Sequence, residues 1–335
     1  MLRRYLNYLC ILIVLLTVGV TGAYAESTPG ILDSYAAASL DASPNYKAIS
    51  KVKPSEPAVT KVRPGIMSRF EGLSRFNPAN WGGECILPAP AKGQFTTGPW
   101  VWFGTIKGEA RRGVGGPNAT PGSKVDFHDN LGFGQNATTI WGFDAKYQLR
   151  PRFGLRYSFM PMKMESKYTT PASFTFANQL FASGTLIESK WERYQHRAGV
   201  TFNLSNNPSS RTSIFAEWMY LQDKLHISSA VGGATTPVVW DDTRNVAVVG
   251  AEFDKCLKNF HGNSLNLSCK ADVLFLNDCF GFDAETALNY MIPIKTGRFG
   301  FIKGGYRYSY FQKDNTRDLF DTSIGGVFIQ VGFLF

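Results

Sequence analysis

The sequence predicts an all-β fold: a single-chain antiparallel transmembrane β-barrel of ten strands, preceded by an N-terminal extension. Three observations predict it. Side chains alternate with a period of two from residue 99 onward, the links between alternating runs are by turns short and long, and an apolar last run stops on Phe335. Composition agrees, because 14 % of the residues are aromatic and 33 are Gly, a mix suited to strands, tight turns and interfacial rings.

The first element is a secretory signal over residues 1–25. Arg3 and Arg4 precede an apolar run from Leu9 to Val20, and Thr21, Gly22, Ala23, Tyr24 and Ala25 follow, so cleavage is expected before Glu26. The run is short of the roughly twenty residues a membrane helix needs. No later segment is long and apolar enough to span as a helix, which makes the mature chain periplasmic, secreted or outer-membrane.

Residues 26–98 read as a periplasmic arm. From Asn45 to Gly65 the chain carries Lys47, Lys51, Lys53, Pro54, Pro57, Lys61, Arg63 and Pro64, a basic, proline-punctuated stretch suited to an extended linker. Ile66, Phe70 and Leu73 recur at helical spacing and predict a short helix over Ile66–Phe76. Its Arg69-Phe70 and Arg75-Phe76 pairs suit a membrane surface or a lumen plug, but a loosely packed arm is the preferred reading.

The barrel is expected over residues 99–335. In the first strand Trp102, Gly104, Ile106, Gly108 and Ala110 form one face and Thr105, Lys107, Glu109 and Arg111 the other. The second sets Trp141, Phe143, Ala145, Tyr147 and Leu149 against Asp144, Lys146 and Gln148; the third sets Phe153, Leu155, Tyr157 and Phe159 against Arg156 and Ser158. Tyr194, Ala198, Val200, Phe202 and Leu204 oppose Arg193 and Arg197 in the fourth, and Ile214, Ala216, Trp218 and Tyr220 oppose Glu217 in the fifth. The sixth opposes Ala247, Val249, Ala251 and Phe253 to Glu252 and Asp254, the seventh Leu265, Leu267, Cys269, Ala271, Val273 and Phe275 to Lys270 and Asp272. Phe282, Ala284, Leu288 and Tyr290 face away from Asp283 and Glu285 in the eighth. Ile302, Tyr306, Tyr308 and Tyr310 face away from Lys303 and Arg307 in the ninth, and the tenth runs Val327, Ile329, Val331, Phe333, Phe335.

Four links are short turns, at Arg150–Arg152, Ser205–Ser210, Lys258–Asn263 and Lys295–Arg298. The opposite set runs Gly113–Thr139, Glu165–Ser189 and Ser228–Asp242, then the brief Asn277–Cys279 and Lys313–Asp318. One rim with short turns and one with longer loops is the periplasmic and outer asymmetry of a membrane barrel, and an even strand number returns both ends to the short-turn side.

The last strand is the most specific local signal. With Val331 and Phe333 on the face that ends at Phe335, residues 99–335 resemble the bacterial outer-membrane β-barrel families, whose assembly signal is an alternating apolar final strand ending in Phe. The resemblance implies the cell outer membrane of a Gram-negative bacterium, recognition by the barrel-assembly machinery, and contact with outer-membrane lipid and lipopolysaccharide. The formal charge of +9 is spread along the chain, which fits anionic lipopolysaccharide or solutes and gives no footprint for nucleic acid.

Turning the apolar face to lipid points the other inward. The expected lumen lining is Lys107, Glu109, Asp144, Lys146, Arg156, Arg193, Arg197, Glu217, Glu252, Asp254, Lys270, Asp272, Asp283, Glu285, Lys303 and Arg307, as an internal ion-pair network or a narrow path for small solutes. Ten strands stand near the filled end of the barrel range, which excludes general diffusion of large solutes. A non-enzymatic small-pore or surface barrel is therefore the leading reading.

The alternative is a hydrolase at the outer rim, acting on protein or lipid A through Asp223, His226 and Asp241 or Asp242. Ten-stranded outer-membrane proteases share the strand number and terminal Phe, but their Asp-x-His pattern is not reproduced. A further alternative gives the arm a periplasmic docking or cell-wall role, with a protein or cell-wall partner. His128 stands among Asp126, Asp129 and Asn130, without the oxygen-ligand spacing of a calcium loop, and no metal or cofactor is expected. Cys256 is expected to pair with Cys269 or with Cys85, and Cys279 to lie far from both on the outer rim.

Overall fold

The computed structural model describes residues 85, 87–113, 122–134, 137–229, 237–260, 262–276, 278–295, 297–314 and 318–335. The signal segment, nearly all of the arm and the helix expected over Ile66–Phe76 lie outside the described residues. Among those residues no helix is long and apolar enough to cross a membrane, which leaves open a crossing by strands.

Ten long antiparallel strands form one sheet: β1 Phe95–Arg112, β2 Thr138–Arg150, β3 Phe153–Thr169, β4 Leu186–Asn206, β5 Ser210–Ser229, β6 Val238–Phe260, β7 Asn263–Leu276, β8 Cys279–Lys295, β9 Arg298–Asp314 and β10 Asp318–Leu334. Each pairs with its sequence neighbour, and β10 pairs back onto β1, so the sheet closes. The seam runs from Thr96 opposite Leu334 to Arg112 opposite Asp318, and Phe95 and Phe335 exchange backbone hydrogen bonds of 2.6 and 2.9 Å at its end. Closure removes the unpaired sheet edges that would otherwise invite aggregation or strand addition. Gly326 faces the Phe103 carbonyl across this seam, where a Cβ would overlap backbone atoms.

The strands reach further than the alternating runs suggest. β4, β5 and β6 contain 21, 20 and 23 residues, about twice the 9–11 needed to cross a bilayer. The surplus lies at the long-loop end, between the apolar band of the outer wall and the rim. Outward side chains report the boundary: Trp141, Tyr157, Tyr194, Trp218 and Tyr220 are exposed aromatics on the outer wall. Above them, outward ion pairs join Lys163 to Glu165 at 2.8 Å, Lys190 to Glu192 at 2.7 Å, Lys167 to Glu188 at 2.6 Å and Lys224 to Asp241 at 3.4 Å. Charges of both signs replace apolar groups where the wall leaves hydrocarbon for water.

Two loops fold inward at the long-loop rim. The link after β1 makes a two-residue ladder, Val125–Asp126, against Ala110 and Glu109, then turns back through Gly132 and Gly134, whose φ values of +70° and +77° suit glycine. The link after β3 forms a small hairpin, Phe174–Phe176 with Gln179–Phe181, turned by Ala177 and Asn178 at positive φ. The two loops are joined by the Ser123 amide, which donates to the Thr175 carbonyl at 3.0 Å.

Candidate functional site: a filled lumen with a polar vestibule

The lumen has three levels. At the long-loop end it is packed with apolar side chains: Trp102, Ile106, Phe127, Leu131, Phe133, Ile187, Trp191, Leu225 and Phe320 are completely or almost completely buried. The rings meet across the barrel. Phe320 of β10 lies 5.6 Å from Trp191 of β4 and 4.5 Å from Trp240 of β6, each four strands away around the wall. Phe127 of the inward loop completes the stack, 5.2 Å from Trp191 and 5.6 Å from Phe320. Offset and edge contacts of this kind are favourable beyond the area they bury.

Beneath the rings lies a layer of buried ion pairs that also span the lumen. Arg193 donates to Asp223 at 2.7 Å, Trp191 Nε1 donates to the same carboxylate at 3.0 Å, and the Arg193 guanidinium stacks over the Trp191 ring. Asp242 is held by Arg244 and by Lys313 at 2.9 Å. Arg197, 1 % exposed, reaches Asp272 at 2.8 Å, Asp283 at 3.0 Å and Glu217 at 3.6 Å. Arg156 joins Glu217 and lies 3.0 Å from Glu252, which Lys146 contacts at 2.6 Å from four strands away. Buried charges demand such mutual partners, and this network supplies them.

The short-turn half keeps an open polar vestibule of about 180 Å³. Asp144, Lys146, Arg156, Arg211, Glu252, Asp254, Lys270, Glu285, Lys303 and Arg307 line it, with Ser158, Ser213, Ser268, Asn289 and Gln330 between them. The segment before β1 is tied to the short-turn end, and Gln94 reaches the cavity. Cys85 is disulfide-bonded to Cys256 near the end of β6, and the Leu87 amide donates to the Pro208 carbonyl in the β4–β5 turn.

Most of the charged residues assigned to the inner face stand in these two lower levels. Lys107 and Glu109 do not: the expectation that they line the lumen is corrected, because β1 turns Trp100, Trp102, Ile106 and Ala110 inward and those two outward. Glu109 instead pairs with Lys124 at 2.5 Å in the first loop. The reason is physical. An apolar face was assigned to lipid, but the upper lumen is itself an apolar core, so the inference reverses there.

The rim constellation expected of a hydrolase is not assembled. Asp223 and Asp242 are opposite one another in the β5–β6 register and point inward to arginines, whereas His226 and Asp241 point outward. Residues three apart on a strand lie on opposite faces, which separates Asp223 from His226. Around His128, the Asp126 carboxylate accepts the amides of His128 and Asp129 at 2.7 and 2.8 Å, and Asn130 Oδ1 accepts the Asp126 amide at 2.8 Å. These side chains close the turn. Among the described residues no group of three or more metal-ligating side chains converges.

Cysteine pairing resolves in favour of Cys85. Cys256 points inward opposite Asn266, while Cys269 is opposite Phe253 on the outward face, so the hairpin partner is unsuitable. Cys279 is free and buried at the start of β8.

The apolar plug was missed by sequence reasoning, yet it leaves a signal: apolar parity flips within a strand. In β5, Ile214, Ala216, Trp218 and Tyr220 face out, but Leu221, Leu225 and Ile227 face in. In β4, Ile187 and Trp191 face in, with Glu188, Lys190 and Glu192 outward, before Tyr194, Ala198 and Val200 take the outer face.

No family model matches the chain, and no curated protein matches it. Solved structures similar to it include the outer-membrane protease OmpT from Escherichia coli, at 9 % identity and TM-score 0.39, over 76 % of this chain and 99 % of that one. The attachment invasion locus protein Ail of Yersinia pestis, in complex with a heparin analogue, matches at 12 % identity and TM-score 0.34, over 73 % of this chain and 99 % of that one. The Pseudomonas putida toluene transporter TodX matches at 8 % identity and TM-score 0.26, over 73 % and 90 %. Likeness at this level carries no activity or ligand to this chain. The wall itself is more informative: a closed, edge-free sheet whose outer face exposes Phe103, Trp141, Val200, Trp218, Leu288, Tyr306, Ile329 and Phe333 is a structure for lipid, and the chain is a closed ten-stranded transmembrane β-barrel.

Proposed function

We propose that the protein is a non-enzymatic outer-membrane barrel of the surface or structural kind, closed to solute diffusion and presenting a blind polar vestibule to the periplasm. The observation that carries this reading is the meeting of Phe320 with Trp191 and Trp240 across the lumen, sealed by Phe127 from the inward loop. A solute passing outward would have to displace rings packed at van der Waals separation together with the ion-pair layer below them. Close packing of this kind resists local opening, because each ring's contacts depend on the others.

The long outer wall and inward loops then serve as a rigid platform above the membrane, and the polar end faces the side from which the chain arrives. Liposome swelling tests the reading. Vesicles containing the folded protein should swell in isosmotic arabinose at the rate of protein-free vesicles; swelling that rises with the protein-to-lipid ratio would overturn it.

A further inference from the structure

The vestibule is not evenly neutralised. Arg197 takes the best positions on Asp272 and Asp283, at 2.8 and 3.0 Å, so Lys270 and Arg307 approach those same carboxylates only at 3.6 Å. Both cations face the cavity, in register on either side of Glu285, whose own partner is Lys303. Aromatic rings support them: Lys270 lies 5.3 Å from the Phe215 ring centre, and the Arg307 guanidinium 5.2 Å from both Trp100 and Trp102. A cation stacked on a ring keeps its orientation and leaves its remaining donors for another group.

The wall across from β7 holds the complementary charge. Asp144, on β2, has no cation within 4.0 Å among the described residues; its Oδ2 accepts one hydrogen bond, from Gln330 Nε2 at 3.1 Å. Among ion-paired charges of both signs, the cavity therefore holds two cations with only long contacts, Lys270 and Arg307, and one carboxylate with no cation in contact, Asp144. Serine and amide side chains lie between them. Its 180 Å³ would hold about a dozen waters, or a solute of dipeptide size with a few waters beside it.

We propose that this vestibule binds a small zwitterion of dipeptide size, its carboxylate toward Lys270 and Arg307 and its ammonium toward Asp144. A dianion of the same length would set one end against Asp144, and a dication would set one end against the two cations. Only a ligand with opposite charges at its ends satisfies both walls. The closed outer half makes the periplasm the source of the ligand, and in that respect the inference rests on the function proposed above.

Equilibrium dialysis tests it on the folded full-length mature chain in detergent micelles, with heat-modifiable electrophoretic mobility as the check on folding. Three probes of similar length are compared: diglycine, succinate and 1,4-diaminobutane. Diglycine should bind at least about tenfold more tightly than either of the others. Asp144→Asn, which keeps the Gln330 contact and breaks no ion pair, should weaken diglycine binding by about tenfold or more. Arg307→Gln should do the same, and His226→Ala on the outer wall should change nothing. Equal or tighter binding of succinate or the diamine, no binding of any probe to the folded protein, or unchanged diglycine affinity in Asp144→Asn would each overturn the proposal. A protein that swells liposomes yet binds diglycine would refute the closed lumen alone; one that stays closed and binds none of the probes would refute the ligand alone.

Discussion

Replacing Arg197 with Met removes the cation at the centre of the ion-pair layer and leaves Asp272 and Asp283, whose side chains are 0 % and 7 % exposed, without their shortest contacts. Removing one partner of a buried pair costs about 3–5 kcal/mol, because the surviving charge stays desolvated. Lys270 and Arg307, each 3.6 Å from one of the two carboxylates, take up part of the deficit, which places the expected loss near the lower end, about 3 kcal/mol. With a urea dependence of about 1–3 kcal/mol per molar, the unfolding midpoint should fall by about 1–3 M. The assay is urea unfolding in lipid vesicles followed by tryptophan fluorescence. Adding Asp272→Asn to Arg197→Met should recover about 1 kcal/mol or more, because it removes the charge the first change orphaned. An Arg197→Met protein within about 0.5 kcal/mol of the parent, or a double variant less stable than the single one, would refute the view that this layer is a mutually neutralised network.

Three further outcomes follow from the geometry. His226→Ala should leave stability within about 0.5 kcal/mol, whereas Asp223→Asn, which removes the buried negative charge opposite Arg193 and leaves one amide oxygen where Arg193 and Trp191 share a carboxylate, should cost about 3 kcal/mol in the same unfolding assay; equal effects would mean that the two side chains share a site after all. Val327→Arg, in the middle of the lipid-facing side of β10, should cost about 2–4 kcal/mol and reduce the heat-modifiable folded fraction, and a neutral result would place that face away from lipid. Non-reducing peptide mapping should recover Cys85 linked to Cys256, and Cys85→Ser should lower stability by about 2–4 kcal/mol; a Cys256 thiol that alkylates in the unreduced native protein would contradict the pairing.

The lower barrel was legible in the sequence because two environments differ sharply there. Residues such as Phe202 and Val200 meet hydrocarbon while Arg197 and Thr201 meet the lumen, so a period of two separates the faces cleanly. The upper barrel reads differently because water lies outside and a packed core inside. Trp102 and Ile106 look lipid-facing by hydropathy, and nothing local distinguishes a ring against lipid from a ring against Phe127. The distinction rests on long-range contacts: the loop carrying Phe127, Leu131 and Phe133 returns to the lumen only because Trp191 and Phe320 are there to receive it. The asymmetry of the vestibule was hidden for the same reason, since which carboxylate Arg197 claims depends on strands three and four positions around the barrel.

Single-channel recording in planar bilayers tests the closed lumen most directly, on the parent and on a variant carrying Phe127→Ala, Phe133→Ala, Trp191→Ala and Phe320→Ala. No discrete conductance steps are expected from the correctly folded parent, and the four-alanine protein, which keeps the ion-pair layer beneath its missing rings, should show at most small steps. Discrete channels in the parent, of the same size as those in the variant, would show that the ring stack does not seal the barrel.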